Sequence, residues 1–174
     1  SRTDIGGERY GGRCRNLGLA EAPSRSLRVR LDEGPASALD LVQGRIEQVP
    51  SEQCGDLLAR DRDGHWTYQF AATVDDWQQR VTLVIRGADL ESSTGRQVAL
   101  ARLLGRDEPP IFLHHPLILD AHGRKLSKSA GDTGVRELRA RGMSAADVIG
   151  LAASAVELLA ARQPLKAEDV PALF

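Results

Sequence analysis

Lys125 and Lys128 stand three residues apart in the stretch GRKLSKSAGD, with Ser127 and Ser129 beside them. The chain carries 20 Arg but only three Lys, the third being Lys166. An ammonium is a compact charge on a flexible stem and can follow a phosphate as it moves. Two of them aimed at a polyphosphate would stabilise the charge that builds up in phosphoryl or adenylyl transfer. The serines add small donors that permit close approach. The alternative is a solvated basic loop.

Other residues could do chemistry of a different kind. Arg86 closes the apolar run VTLVI of residues 81–85, and a guanidinium there could grip a carboxylate through two parallel hydrogen bonds. Its alternative is an ion pair with a local acid such as Asp89. Tyr68 offers a hydroxyl and a flat wall, or else a core aromatic. Tyr10 and Cys14, four apart in YGGRC, are candidate metal donors. A closed zinc site takes about four ligands, and neither Cys54 nor the four histidines have the spacing to complete one. A buried thiol is the alternative for Cys14. Asp75 and Asp76 are chain neighbours, whose side chains usually point apart, and are read as structural. His114 and His115, before Pro116, read as an incidental loop pair or as lining of a nucleotide pocket, and Asp89 and Gln97 are weak candidates.

These residues need elements to hold them. LRVRL, residues 27–31, alternates as a half-exposed strand does. ALDLVQGRIEQVP is ambiguous: Val42, Ile46 and Val49 could share a helical face that Gly44 weakens. Trp66, Tyr68 and Phe70 alternate with Thr67 and Gln69, which predicts extended structure. Val81 to Ile85 reads as a strand buried on both faces. ESSTGRQVALARLLG follows as a helix, capped by Ser or Thr and stopped at Gly105. PPIFLHHPLILD is a second apolar strand. SAADVIGLAASAVELLAARQP reads as a helix with Ser144 and Asp147 at capping-box spacing, ending at Gln163-Pro164. Strand, loop and helix in this order make an α/β fold, and in such sheets ligands bind beyond the carboxyl ends of the strands.

The bulk numbers agree with one ordinary domain, or with a domain plus a small appendage. There are 174 residues, 41% hydrophobic and 27% charged, a globular composition. A net charge of −1 excludes a polycation held on nucleic acid by charge alone, though not a local basic groove. No apolar run is long enough to span a membrane. Two cysteines argue against a disulfide scaffold, with a reducing cytoplasm as the default.

KLSKS resembles the second signature of the class I aminoacyl-tRNA synthetases. TYQFAATVDDWQQRVTLVIRGADLESSTGRQ is similar to the glutamyl-type segment that reads Tyr-Gln/Asn, Val-Asp-Asp, Val-Ile-Arg-Gly-Ala/Glu-Asp and Ser-Thr-x-Arg-Gln. The motifs fall in family order over roughly residues 66–129. The resemblance implies the second half of a Rossmann-type, parallel-sheet catalytic domain over residues 27–129. Residues 1–26 would then be a remnant of a zinc-knuckle region and residues 130–174 a short helical segment. It implies activation of L-glutamate with ATP and Mg2+ to glutamyl adenylate. Lys128 would be the catalytic ATP contact, Lys125 and Ser127 would bind ATP with it, and Tyr68 and Arg86 would bind glutamate.

The glutamyl-queuosine branch of that family transfers glutamate to queuosine in the anticodon of tRNA(Asp). In it a Cys-x-Cys joins a Tyr-x-x-x-Cys to hold zinc, so Tyr10 and Cys14 match the second half of an incomplete site. Only 45 residues follow Ser129, where an ordinary glutamyl-tRNA synthetase carries a large helical anticodon-binding domain; this favours the queuosine branch. The chain opens SRTDIGG and contains no His-Ile-Gly-His type signature, so it is expected to be a fragment that adenylates poorly alone and holds zinc weakly or not at all. The expected partners are glutamate, ATP and the tRNA(Asp) anticodon stem-loop, for a cytoplasmic monomer with no membrane contact. The alternatives are a catalytic piece of an ordinary glutamyl- or glutaminyl-tRNA synthetase, and a non-catalytic RNA-binding remnant.

Overall fold

The structure is a computed structural model that describes residues 9–119, 122 and 134–173. Lys125, Ser127 and Lys128 lie outside the described residues. The chain divides into two compact units, Ser1–His115 and Pro116–Phe174.

Among the described residues the first unit holds two sheets. β1 (Leu27–Val29) pairs antiparallel with β4 (Leu57–Arg60). The larger sheet runs β3-β2-β6-β5, from β2 (Ala36–Asp40), β3 (Gly44–Gln48), β5 (Leu83–Gly87) and β6 (Ile111–His115). β2 and β3 form an antiparallel hairpin, so the ambiguous segment is two strands. The turn between them is built by Asp40, whose Oδ1 accepts the N–H groups of Val42 and Gln43 at 2.8 and 2.9 Å. β6 runs parallel to both β2 and β5.

The described residues of this unit form three α-helices: α1 (Pro50–Cys54), α2 (Tyr68–Gln78) and α3 (Thr94–Leu103). α3 joins two apolar clusters. Leu100 packs with Leu31, Cys54 and Leu57, while Val98 packs with Ala36, Ala38 and Phe112 on the sheet. Truncating Leu100 or Phe112 would cost about 2–5 kcal/mol on transfer and cavity grounds. α3 comes close to the sheet because Gly95 lacks a side chain. A Cβ there would lie 2.8 Å from that of Gln48, and the Gly95 N–H donates to Gln48 Oε1 at 2.9 Å.

Several expectations need correction. The Trp66–Phe70 segment is not extended throughout. Thr67 caps α2, its hydroxyl accepting from the Phe70 N–H and donating to the Leu58 carbonyl. Trp66 and Phe70 then stack across the helix start with centroids 4.5 Å apart, so a cap and an aromatic pair at helical spacing override the alternation. β5 is buried on one face only. Val84 and Arg86 face inward, whereas Leu83 and Ile85 are exposed, Ile85 by 62%. Ser93 at the start of α3 makes no side-chain cap, because a 3-10 turn, Ala88–Ser93, leads into the helix instead.

The second unit contains α4 (Val135–Ala140), α5 (Ala145–Ala155) and a 3-10 turn, Ala167–Leu173. The capping box forms as the sequence predicts: Ser144 Oγ accepts from the Asp147 N–H, and the Asp147 carboxylate accepts from the Ser144 N–H. α5 stops at Ala155 rather than running to Pro164. The chain returns along it, with the Leu165 N–H donating to the Ala146 carbonyl at 2.9 Å.

Candidate functional site

Asp40, Arg86 and His114 come from three strands and meet at their carboxyl ends. Arg86 lies opposite His114 in the parallel register of β5 and β6, and Asp40 lies opposite Phe112 in that of β2 and β6. Phe112 and His114, two apart on one strand, share a face; their rings are parallel to within 9°. Thr94 and Gln97 in the first turn of α3 close the cluster from the helix side.

Arg86 is 8% exposed, and His114 and Asp40 are 1% exposed. The guanidinium donates from Nε to His114 Nε2 at 2.9 Å, from one Nη to Thr94 Oγ1 at 2.8 Å and from the other to Gln97 Oε1. Its carbon sits 4.9 Å from the Phe112 ring centroid. His114 Nδ1 lies 2.6 Å from Asp40 Oδ2, which also accepts the His114 backbone N–H at 3.1 Å. A guanidinium can only donate, so His114 Nε2 accepts and its ring proton is on Nδ1, facing the carboxylate.

The electrostatics follow from burial. Desolvation lowers the Arg86 pKa from its ordinary value. Tyr68 is the neighbour that most opposes this lowering, ahead of Asp76 and Asp40. Tyr68, the first residue of α2 and 56% exposed, therefore stands beside Arg86, as the sequence reading pairs them. No described carboxylate is in salt-bridge contact with Arg86; the recorded acceptors are an imidazole, a hydroxyl and an amide. The Asp89 ion pair is thus not formed with it. For Asp40, burial alone would raise the pKa, but donors from Gln43, His114 and Val42 outweigh it and hold the carboxylate below its ordinary range. Asp76 on α2 is pushed up by burial, against Arg106 and Arg86. Sequence reasoning missed Asp40 and Thr94, and named His114 and Gln97 only as minor candidates with no link to Arg86. The available signal was polar residues ending apolar strands.

The Tyr10–Cys14 knuckle forms a second local arrangement. The Cys14 N–H donates to the Tyr10 hydroxyl at 2.8 Å, and the Tyr10 N–H donates to the Cys54 carbonyl at 2.9 Å. The Cys14 side chain, then burial, raises the Tyr10 pKa, so phenol and thiol are neighbours. They supply two donors of the roughly four that a closed zinc site needs. Among the described residues the only group of three acidic, Cys or His donors is Asp61, Asp63 and His65, where Asp61 Oδ1 is engaged by the N–H groups of Asp63 and His65. In the second unit a cavity of about 430 Å³ is lined by Arg141, Asp147 and Arg162 among others, none of them a predicted site residue.

Comparisons with known proteins agree with the site's motifs. A model of the family described as tRNA synthetases class I (E and Q), catalytic domain, matches residues 7–150. The chain is similar to a glutamyl-Q tRNA(Asp) synthetase of Cupriavidus metallidurans, 46% identical over 125 residues, covering 70% of this chain and 40% of the relative. It is similar to another of that name from Nitratidesulfovibrio vulgaris, 41% identical over 152 residues, covering 83% and 46%. A crystal structure of a glutamate tRNA ligase from Elizabethkingia meningosepticum in complex with its amino acid matches 75% of this chain and 29% of that one, with a TM-score of 0.58 and 28% identity. The chain spans less than half the length of the curated relatives it matches. With its parallel strands and this match over most of its length, the chain belongs to the class I tRNA synthetases of the E and Q type, within their catalytic domain.

Proposed function

We propose that this chain carries the glutamate-binding part of a ligase that activates L-glutamate with ATP and transfers it to queuosine in the anticodon of tRNA(Asp). The observation that carries this reading is the state of Arg86: a buried guanidinium at the carboxyl ends of parallel strands, held by neutral acceptors. A guanidinium has more N–H donors than these three acceptors occupy. Its charge is a receptor for an anion, with the Tyr68 hydroxyl beside it.

In adenylation the α-carboxylate must stay available to attack the α-phosphorus. The carboxylate that Arg86 holds throughout is therefore the side-chain one. Glutamine would present an amide N–H₂ to a donor, a mismatch that rejects it strongly in a dry site. ATP with Mg2+ comes to the reading from the family, and Lys128, Lys125 and Ser127 are its proposed contacts from the sequence motif. Lys128 would act on the charge that builds up on the leaving pyrophosphate. Tyr10 and Cys14 are the proposed half of a zinc site.

The names of the similar relatives favour the queuosine acceptor, and the likeness to a glutamate tRNA ligase leaves a 3′-terminal ribose as the competing one. The two differ in where label lands. The full-length gene product, given labelled glutamate, ATP and queuosine-containing tRNA(Asp), is expected to label a nuclease fragment containing the anticodon base. Label on the 3′-terminal nucleoside would refute the queuosine reading and leave an ordinary glutamyl-tRNA synthetase.

A further inference from the structure

We infer that Asp40 and His114 are positioning residues that aim Arg86 while keeping its ligand side clear of any protein carboxylate. The inference deepens the proposed function and rests on Arg86 being the glutamate receptor.

Three bonds to three different nitrogens fix the plane of the guanidinium. Two of them come from α3 and one from β6, so Arg86 is clamped between helix and sheet. The β6 bond works only if His114 Nε2 has a free lone pair. With the proton on Nε2 instead, an N–H would face an N–H. The choice between these tautomers is made by Asp40, whose Oδ2 is 2.6 Å from Nδ1 and can only accept. Asp40 is itself locked in place by the N–H groups of Val42 and Gln43 and by that of His114. A carboxylate thus dictates the orientation of a cation one ring away.

The interposed ring also settles a conflict. A buried guanidinium needs a countercharge nearby, but a carboxylate in direct contact would occupy the position a substrate carboxylate requires. Asp40 supplies negative charge to the cluster, yet the group that touches Arg86 is a neutral imidazole. The side-chain accessibility of both Asp40 and His114 is zero, so neither contacts bulk solvent.

Two substitutions separate the halves of the device. His114→Asn keeps an N–H toward Asp40 and removes the acceptor for Arg86. His114→Gln can return an oxygen acceptor to Arg86 and gives up the Asp40 bond. In glutamate-dependent pyrophosphate exchange by the full-length gene product, His114→Asn is expected to raise the glutamate KM about tenfold or more. The ATP KM should stay within about twofold, and discrimination against glutamine should fall. His114→Gln should show a smaller rise. Unchanged glutamate KM in both variants, or glutamate and ATP KM rising together with a falling Tm, overturns the inference. A second readout needs no activity. The Arg86 Nε–H should show a trans-hydrogen-bond nitrogen coupling to His114 Nε2 by NMR, and Asp40→Asn should weaken it. If the natural sequence shows no glutamate-dependent exchange, the proposed function fails by itself. The NMR measurement then decides the positioning claim: coupling lost in Asp40→Asn supports it, and no coupling in the natural sequence, or coupling unaffected by Asp40→Asn, refutes it.

Discussion

Arg86 keeps its charge in a place where burial works against it, and neutral acceptors, Tyr68 and a carboxylate one ring away make that tolerable. Asp40 shows the same balance with the opposite sign of charge. Its carboxylate is buried, but the N–H groups it accepts hold its pKa below the ordinary value. A carboxyl depressed on folding binds fewer protons in the native state than in the unfolded one. Its stabilisation is fully present above the unfolded value of about 3.9 and is lost as pH falls through the native value. Asp40→Asn should therefore be less stable than the natural sequence at neutral pH, with the gap narrowing in acid below the carboxylate range. Urea midpoints measured against pH for both proteins would show this; a gap independent of pH would mean the charge of Asp40 contributes nothing.

At the scale of elements, α5 offers a test of sign. Alanine in a helix interior normally gains about 1 kcal/mol over glycine. At Gly150 the added Cβ would lie 1.8 Å from the Gln163 carbonyl oxygen. The returning strand of chain would have to leave the helix, so Gly150→Ala should lower the Tm by several degrees or detach the segment around Leu165, visible as faster amide exchange at Leu165. A rise in Tm would show that the return is not packed as described. The end of α5 was not legible in the sequence, because the apolar period continues past Ala155 while the helix is closed by a local turn in which Glu157 takes a φ of 61° and the Leu158 N–H donates to the Ala153 carbonyl at 2.9 Å. The capping box, by contrast, reads directly from Ser144 and Asp147. The same division runs through the first unit. The strands at 83–87 and 111–115 and the helix beginning at Thr94 announce themselves by apolar runs and by Gly105. The hairpin at 36–48 does not, because Val42, Ile46 and Val49 also fit a helical face and the turn that breaks it is made by a polar residue, Asp40, accepting the N–H groups of Val42 and Gln43.

The whole molecule corresponds to one part of the relatives it matches. It spans less than half of the relatives it resembles, and its two units, Ser1–His115 and Pro116–Phe174, are each compact. Arg86 and Tyr68 were legible as a pair through a motif, and the fold brings them together. Of the residues that hold Arg86, His114 and Gln97 were named only as minor candidates and Thr94 not at all, and Asp40 behind His114 acquires meaning only when β2, β5 and β6 are laid side by side. KLSKS, the stretch that first pointed to ATP, lies outside the described residues. Arg86 is the proposed receptor of the glutamate side chain. A crystal structure of the full-length gene product with L-glutamate tests this most directly. The side-chain carboxylate should be hydrogen-bonded to the Arg86 guanidinium and the Tyr68 hydroxyl, with the His114 and Thr94 bonds intact. Glutamate bound elsewhere, with Arg86 still engaged only by Gln97, Thr94 and His114, would contradict it.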